Sequence, residues 1–502
     1  MPDNVLTIAT SQTLQSDWDY HAGIILSVPS GITLTVPDQP DARRWQVFDV
    51  SGGGTVVLPA GCQVLPEWFG AIPGTSTAAA AAAFGAALTA AKTPLGELFL
   101  GVGTYYADRV DLSGIQSFTL RGTGINSIIQ ARVAGSTGQA FVQINSGSGG
   151  DEGSHPTQTA ALLVTRISFQ DLAQQWDKLC YADKMYDSRF EQVQFLGGKV
   201  GLDLNYSWTN SFSGIHLEYW KDIGVRITSV SNATTFTTVR NTAANSATTS
   251  VGWDIRAGRT LQLIGCTAEA CNVGIRQAGG ESMSFIGYHC ESNGTDVLYN
   301  YGNTRSGILT FENCAFYDTT SAVFAYDVGS NQSAYGLNIK GCFFHNVPAS
   351  SVTLLASGGV FEGNANDSST SPWIALHNSH LGVVRIGKRE YRGPDGFTDF
   401  NRGDALATGT SNTTLFKNIP ANCSIRIQVK QRLSSTNTSS HNRLITVGDG
   451  GAKYAESTGE SAGSALGLVF SVSSGDLLCH GTYASPWSAE ITVTGAVNSI
   501  SS

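Results

Sequence analysis

The sequence predicts an all-β protein whose main body is a parallel β-helix. Glycine accounts for 57 of the 502 residues and charged residues for only 14% of the chain. Together with many serine, threonine and asparagine residues, this composition favours turns and strands over long helices. Strand-like hexads recur along the chain, and their polar and apolar residues alternate with a period of two. Repeat and alternation together predict coils stacked on one another.

The repeat has the length of one solenoid coil. Successive hexads begin 22, 24, 27, 22, 26 and 28 residues apart, at Phe190, Phe212, Phe236, Leu263, Phe285, Phe311 and Ile339. A second strand lies between them in "VGLDL", "IGVRI", "VGWDI" and "VGIRQ". Each strand should stack on its equivalent in the next coil at about 4.8 Å, so equivalent residues form straight columns.

Alternation within the hexads separates an inner from an outer face. The fourth and sixth residues are mostly apolar and are expected in the core. The fourth residues include Cys266, Cys314 and Cys342, which should therefore share one internal column. The chain has nine cysteines without CxxC pairs, so buried thiols are expected rather than a disulfide framework. We predict no metal site and no cofactor.

The residue after the hexad is the candidate catalytic position. It is glutamate at Glu218, Glu269 and Glu291. Stacking would place Glu269 and Glu291 about 5 Å apart, and Glu218 and Glu269 about 10 Å apart. Carboxylates that close raise one pKa and supply an acid and a base. Separations of about 5 Å suit a retaining glycosidase and about 6.5 to 9.5 Å an inverting one, a choice that stays open.

The substrate-binding candidates flank these glutamates. They could bind sugar rings, hydroxyls or carboxylates, and they are His216, Arg240, His289, Tyr317, His345 and Trp220. A glutamate at a coil corner could instead accept backbone N–H groups or face solvent. A second outward column contains Asp203, Arg226 and Asp254. Salt bridges between coils explain it most simply, with Asp203 and Asp254 as reserve acids.

Charge and hydropathy exclude several classes of function. A net charge of -9 and a pI near 5.5 give no general basic field for nucleic acid or an anionic membrane. The first residues, "MPDNVLTIATSQ", lack a signal-peptide pattern, which predicts synthesis in a cytoplasm. The small-residue stretch "TAAAAAAFGAALTAA" is too short to insert into a membrane and is expected to form one helix.

A family resemblance lies in residues 64–130. The segments "VLPEWFGAIPG", "LFLGVGTYYAD" and "FTLRGTGINSIIQ" resemble the opening of pectin-lyase-like β-helix proteins, particularly bacteriophage tailspikes. The matching positions are Trp68, Phe69, Gly70, Ala71, Gly103, Thr104, Tyr105, Gly122 and Gly124. The family's acidic segment before the capping helix is replaced by "IPGTST", in which Thr75, Ser76 or Thr77 can cap the helix.

The resemblance implies a right-handed coil and a domain plan. We expect a β cap or neck over 1–66, the β-helix with its capping helix over 67–402, and a C-terminal β-sandwich over 403–502. A homotrimer in the virion, attached to other phage tail proteins and acting at the bacterial surface, is the implied assembly.

The resemblance also implies a depolymerase that cuts capsular or O-antigen polysaccharide by endo-glycosidic hydrolysis. Two alternatives stay open. A polysaccharide lyase would use His216 or His289 as the base and Arg240 against a uronate carboxylate. A non-catalytic adhesin would bind glycan without shortening it. A deacetylating esterase is disfavoured because no GxSxG motif is present.

Overall fold

The computed structural model describes residues 4–366 except 17, 19, 146–158, 229–232, 244–248, 302–306, 327–335, 349–351 and 355–357. Beyond residue 366 it describes the backbone of the strands between 374 and 500. The chain divides into two compact units, Met1–Asn272 and Val273–Ser502. Each is built from short strands.

The amino-terminal unit begins with two small parallel sheets of three strands each. One sheet contains Asn4–Thr7, Ile24–Ser27 and Phe48–Asp49. The other contains Gln12–Thr13, Thr33–Thr35 and Thr55–Val57. Leu26, Leu34 and Phe48 are buried, and the ring of Phe48 lies 5.3 Å from that of Phe69. The predicted short strands of this segment are present.

A helical segment follows the small sheets. The 3-10 helix Pro66–Phe69 ends at Gly70, whose φ of 91° requires a residue without a side chain. Trp68 is buried there and its indole N–H donates to the carbonyls of Ala42 and Arg43. The α-helix Ala78–Ala91 is capped by Thr77, whose hydroxyl accepts from the backbone N–H of Ala80 at 3.2 Å. The predicted helix and cap are thus confirmed.

The rest of this unit is a parallel β-solenoid, as predicted. Each coil contributes strands to two sheets, and all pairings between successive coils are parallel among the described strands. One sheet contains Gln63–Val64, Glu97–Leu100, Gly103–Ala107, Thr119–Gly122, Ser127–Ala131, Leu163–Asp171, Arg189–Gly197, Ser211–Ser213, His216–Trp220, Thr235–Thr237, Arg240–Ala243, Leu261–Ile264 and Thr267–Glu269. The other contains Val110–Asp111, Ala140–Asn145, Lys178–Asp183, Val200–Asn205, Ile223–Ile227 and Val251–Ile255. A separate parallel pair joins Thr159–Ala160 to Met185–Tyr186.

The core of the solenoid consists of stacked columns. Phe190, Phe212 and Phe236 occupy one column, with ring centroids 5.0 Å and 4.9 Å apart in nearly parallel planes. All the hexad residues expected inside are buried, including the polar Asn241, whose amide donates to the carbonyl of Gly252. The predicted inner face is confirmed.

Left-handed residues bend the chain at the same place in successive coils. The third hexad residue has a φ between 50° and 62° at Gln192, Gly214, Thr238 and Gly265. Arg166 holds the equivalent place one coil earlier, with a φ of 56°. These bends project the third side chain outward, because they interrupt the alternation between the two halves of the hexad.

The carboxy-terminal unit continues the same pattern. Its parallel strands are Val273–Gln277, Thr295–Tyr299, Ala322–Tyr326, Val352–Leu354 and Ile374–Leu376 in one sheet, and Ser282–Ile286, His289–Glu291, Ile308–Glu312, Ala315–Tyr317, Gly336–Lys340, Phe343–His345, Gly358–Glu362, Ala365–Asn366 and Val383–Ile386 in the other. Phe285 and Phe311 stack at 4.4 Å.

The three cysteines of the predicted inner column are all buried. Cys314 and Cys342 lie in adjacent coils of the carboxy-terminal unit, while Cys266 lies in the amino-terminal unit. The thiol of Cys266 lies within hydrogen-bonding distance of the carbonyls of Phe236 in the preceding coil and Ile264 in its own. The thiols of Cys314 and Cys342 have equivalent partners, one carbonyl in the preceding coil and one in their own coil. Burial raises the pKa of Cys266 to about 12. These thiols are structural.

Antiparallel pairing replaces parallel pairing after Val383–Ile386, which pairs with Arg389–Arg392. The following strands are Phe397–Arg402, Gly409–Lys417, Cys423–Arg432, Thr438–Gly448, Gly451–Ala455, Val469–Ser473, Asp476–Gly481, Trp487–Thr494 and Ser499–Ile500. The boundaries at 66 and 402, the sandwich and the handedness of the coil stay predictions. No helix among the described residues is long and apolar enough to cross a membrane.

Candidate functional site

A column of outward residues carries two of the three candidate acids. The strand register places equivalent residues of successive coils side by side, in the order Tyr106, Gln130, Gln170, Leu196, Glu218, Thr242 and Glu269. We call this set the Glu218 column. A parallel column two residues earlier in each coil, here the His216 column, contains Ile128, Ser168, Gln194, His216 and Arg240.

Thr242 lies between Glu218 and Glu269 on the Glu218 column. Two strand spacings place the backbones of the two glutamates about 10 Å apart. Both side chains are partly exposed and reach the same face of the sheet. The predicted separation of these two acids follows from this register.

Glu269 is surrounded by groups that favour a negative charge. Its Oε2 lies 3.7 Å from a guanidinium nitrogen of Arg240 and accepts a hydrogen bond from the hydroxyl of Thr242 at 3.3 Å. The Glu269 side chain is 22% exposed, whereas that of Arg240 is 55% exposed. The cation therefore stands at the solvent side of the carboxylate.

Glu218 has a different neighbour. Nδ1 of His216 lies 4.0 Å from its Oε1, at the limit of an ion pair. Both groups are accessible from solvent. The two acids of the column thus have unlike surroundings, a guanidinium and a hydroxyl for Glu269 and an imidazole for Glu218.

The prediction that Trp220 binds substrate is wrong. Its side chain is fully buried, at 0% exposure, whereas Tyr219 is 54% exposed. Tyr219 has a φ of 61°, and the strand register shifts between Glu218 and Trp220. This bulge adds a residue to the turn, so Trp220 points inward and Tyr219 outward. Tyr219 is the aromatic residue available to a sugar next to Glu218.

The prediction that Asp203 and Asp254 could serve as reserve catalytic acids is also wrong. They are 2% and 0% exposed. Arg226 lies between them, 3.8 Å from Asp203 and 3.6 Å from Asp254. Lys178 also binds Asp203, and Arg256 binds Asp254, each at 2.9 Å. The alternative interpretation, salt bridges between coils, is confirmed, and neither acid is open to a substrate.

The carboxy-terminal unit holds the remaining candidates on its own outward columns. Glu291, Tyr317 and His345 are register partners in successive coils. Nε2 of His289 lies 3.1 Å from Oε2 of Glu291. The Tyr317 ring lies 5.2 Å from that of His289 and 5.4 Å from that of His345. These four side chains form one surface cluster.

The sequence pairing of Glu269 with Glu291 stays a prediction. Glu269 belongs to the amino-terminal unit and Glu291 to the carboxy-terminal unit. Within the amino-terminal unit, the two acids that the structure brings onto one column are Glu218 and Glu269.

A groove beside His216 was not anticipated. It has a volume of about 480 Å³ and is lined by Thr123, Ile125, Arg166, Gln192, Gly214 and His216, among others. The signal that could have indicated it is the recurring glycine at the third hexad position, which is replaced by a larger residue at Gln192, Thr238 and Asn313. A larger residue there projects into the space above the bend.

Comparison with known proteins gives similarity of fold. No protein-family model matches the sequence, and no curated protein matches it. Several solved structures are similar. Some are phage tailspikes.

Three of these structures illustrate the similarity. The gp49 tailspike of Acinetobacter baumannii bacteriophage Fri1, a capsular polysaccharide depolymerase, is 12% identical, with 81% of each chain covered and a TM-score of 0.37. The gp42 tailspike of Acinetobacter phage vb_AbaP_AS12 is 11% identical over 96% of this chain and 94% of its own, with a TM-score of 0.44. ORF18 of Geobacillus virus E2 is 14% identical over 83% of each chain, with a TM-score of 0.47.

Proposed function

We propose that this protein is a phage tailspike that depolymerises a bacterial capsular or O-antigen polysaccharide by endo-glycosidic hydrolysis. The observation that carries the proposal is the presence of Glu218 and Glu269 on one accessible column, separated by two strand spacings. Most glycoside hydrolases use two carboxyl groups that flank the glycosidic bond. The sequence resemblance of residues 64–130 supports the tailspike assignment.

The surroundings of the two acids support the roles that we propose for them. Arg240 and Thr242 stabilise a carboxylate at Glu269, which suits a general base. Glu269 removes a proton from water as the water oxygen attacks the anomeric carbon. Glu218 donates its proton to the leaving oxygen as the glycosidic bond breaks. The separation of two strand spacings between the glutamates leaves room for the attacking water, so we expect inversion at the anomeric carbon.

The test is a set of single substitutions assayed for cleavage. Purified capsular and O-antigen polysaccharides are incubated with the protein and its Glu218→Gln, Glu269→Gln and Glu291→Gln variants, and products are analysed by mass spectrometry. We expect the first two variants to lose about 10²- to 10⁴-fold in turnover while still binding polymer. Gln170→Ala, on the same column, serves as the control and should retain turnover.

The same experiment separates the two possible acid pairs. If Glu218→Gln retains normal turnover while Glu269→Gln and Glu291→Gln both lose it, the pair is the one predicted from sequence. If all three remain active, catalysis does not use these glutamates. If no polymer is cleaved but one is bound, the protein is a glycan-binding adhesin.

A polysaccharide lyase is the second candidate. His216 and Arg240 are register partners in adjacent coils, which places an imidazole base beside a cation that can neutralise a uronate carboxylate. Lyase products carry unsaturated ends that absorb ultraviolet light, whereas hydrolysis products do not. Absorbance during digestion therefore distinguishes the two reactions.

The biological setting is part of the same proposal. We expect a homotrimer carried on the phage tail beside other tail proteins, synthesised in the host cytoplasm and acting outside the cell. Light scattering tests the assembly, because a single chain has a mass of 52.9 kDa. A particle of that mass would contradict the trimer without affecting the proposed chemistry.

A further inference from the structure

We propose that the groove beside His216 binds a carboxylate carried by the polysaccharide, and that Arg166 is the residue that selects it. The inference rests on the proposed function and names the substrate class as an acidic polysaccharide. Uronic acids and pyruvate ketals both present such a carboxylate on a sugar ring.

The groove adjoins the candidate catalytic residues. His216 lines it and also lies 4.0 Å from Glu218. Gln194, another lining residue, is the register partner of His216 in the preceding coil. A sugar bound in the groove is therefore next to the sugar at the Glu218 column.

The guanidinium of Arg166 is oriented by one neighbour. Its Nε donates to Oε1 of Gln192 at 3.3 Å. In the part of the chain that the structure describes, Arg166 forms no salt bridge, and its two terminal nitrogens have no hydrogen-bonded partner. Those nitrogens form the planar fork that binds a carboxylate through two parallel hydrogen bonds.

Charge balance distinguishes Arg166 from the other arginines near the site. Arg240 lies 3.7 Å from Glu269, and Arg226 lies between Asp203 and Asp254. Their charges are already opposed by carboxylates of the protein. Arg166 stands in the wall of an open groove whose described lining contains no acidic residue, so a ligand carboxylate would be its counterion.

The remaining lining fits a sugar ring. Ile125 is 53% exposed and offers an apolar surface to the face of a ring. Gln194 and His216 offer polar atoms to hydroxyls. Gly214 has a φ of 62°, and a Cβ added there would make an ordinary van der Waals contact with the side chain of Gln192 at 3.7 Å. The described lining thus combines an apolar surface with polar groups, which suits a sugar ring.

The test compares acidic and neutral forms of the same polymer. Purified acidic capsular polysaccharides are used as isolated and after chemical reduction of their carboxyl groups to alcohols. Binding is measured by calorimetry in the Glu269→Gln background, so that the ligand is not consumed. Arg166→Gln removes the charge, Arg166→Lys keeps the charge without the fork, and Arg109→Gln removes an exposed arginine outside the groove lining.

We expect Arg166→Gln to weaken binding of the acidic polymer by about 10- to 100-fold, the range for a charge-assisted hydrogen bond. Binding of the reduced polymer should be unchanged, Arg166→Lys should be intermediate, and Arg109→Gln should match the parent protein. Equal losses for both polymer forms, no loss for either, or no binding to any acidic polymer would overturn the inference.

These outcomes are separate from failure of the proposed function. Selective binding that depends on Arg166, without cleavage by the unsubstituted protein, would support the carboxylate site and contradict the depolymerase proposal. Cleavage of a neutral polymer that is unaffected by Arg166→Gln, with no preference for acidic forms, would do the reverse.

Discussion

The guanidinium of Arg240 and the carboxylate of Glu269 lie 3.7 Å apart on adjacent coils, where Thr242 also bonds the same oxygen. The strand register fixes this relationship, because Thr242 is the partner of Glu269 and Arg240 is two residues before it. The pair therefore joins the His216 column to the Glu218 column.

Replacing Arg240 with Gln should lower turnover by about 10- to 100-fold, because the charge that stabilises the Glu269 carboxylate is lost. Arg240→Lys should recover part of the loss. The effect should appear in kcat rather than in KM, because the contact acts on the proposed base and not on the bound polymer. A loss confined to KM would indicate that Arg240 contacts only substrate.

Tyr219 and Trp220 should respond in opposite ways. Tyr219→Ala removes an exposed ring and should weaken polysaccharide binding by about 2- to 10-fold with little change in stability. Trp220→Ala empties a fully buried site and should cost about 3–5 kcal/mol of folding free energy. Calorimetric binding and thermal unfolding of both variants check this. A binding defect confined to Trp220→Ala would restore the prediction made from sequence.

Asp296 should make stability depend on pH. It is buried with Asn293 and Thr319 as hydrogen-bonding partners, and burial raises its pKa from 3.8 to about 7. The folded protein thus holds the proton more tightly than the unfolded chain. This contribution to stability is complete below about pH 4, declines as the pH rises toward 7 and is absent above it.

Asp296→Asn should remove that contribution, because the amide does not titrate in this range. Thermal unfolding between pH 4.5 and 7.5 measures the effect as a smaller decline in the variant than in the parent protein. Parallel declines in the two proteins would assign the pH dependence to other groups.

Arg226 should contribute more to stability than an exposed arginine. Arg226→Met removes the cation between two buried carboxylates and should cost about 3–5 kcal/mol, despite the remaining Lys178 and Arg256 partners. Arg121→Met breaks a more exposed pair with Glu97 and should cost less than about 1 kcal/mol. Denaturant unfolding of the two variants gives the comparison, and equal losses would contradict it.

The sequence predicted the coil and its inner face because both depend on simple periods. A repeat near one coil length aligned Phe190, Phe212 and Phe236, and alternation placed Val193 and Phe195 inside. These features need only strand geometry and burial of apolar side chains.

Two features of the site could not be predicted from these periods. Alternation fails at a bulge, so the left-handed residue Tyr219 turned the side chain of Trp220 inward, against the prediction that it binds substrate. Alternation also indicates on which face of the sheet a side chain lies, but not how exposed it is to solvent. Asp203 and Asp254 looked accessible, yet the long side chains that bind them shield them from solvent. Arg166 lay upstream of the first hexad. The strand register places it level with Gln192, and the two line the same groove as His216.

The regular alignment of bends also limits how this protein can change in length over evolution. Gln192, Gly214, Thr238 and Gly265 repeat the same backbone bend once per coil. Insertion or deletion of a whole coil leaves every later bend aligned with its neighbours, whereas a partial one displaces them all. Homologues should therefore differ by whole coils or by loops between strands.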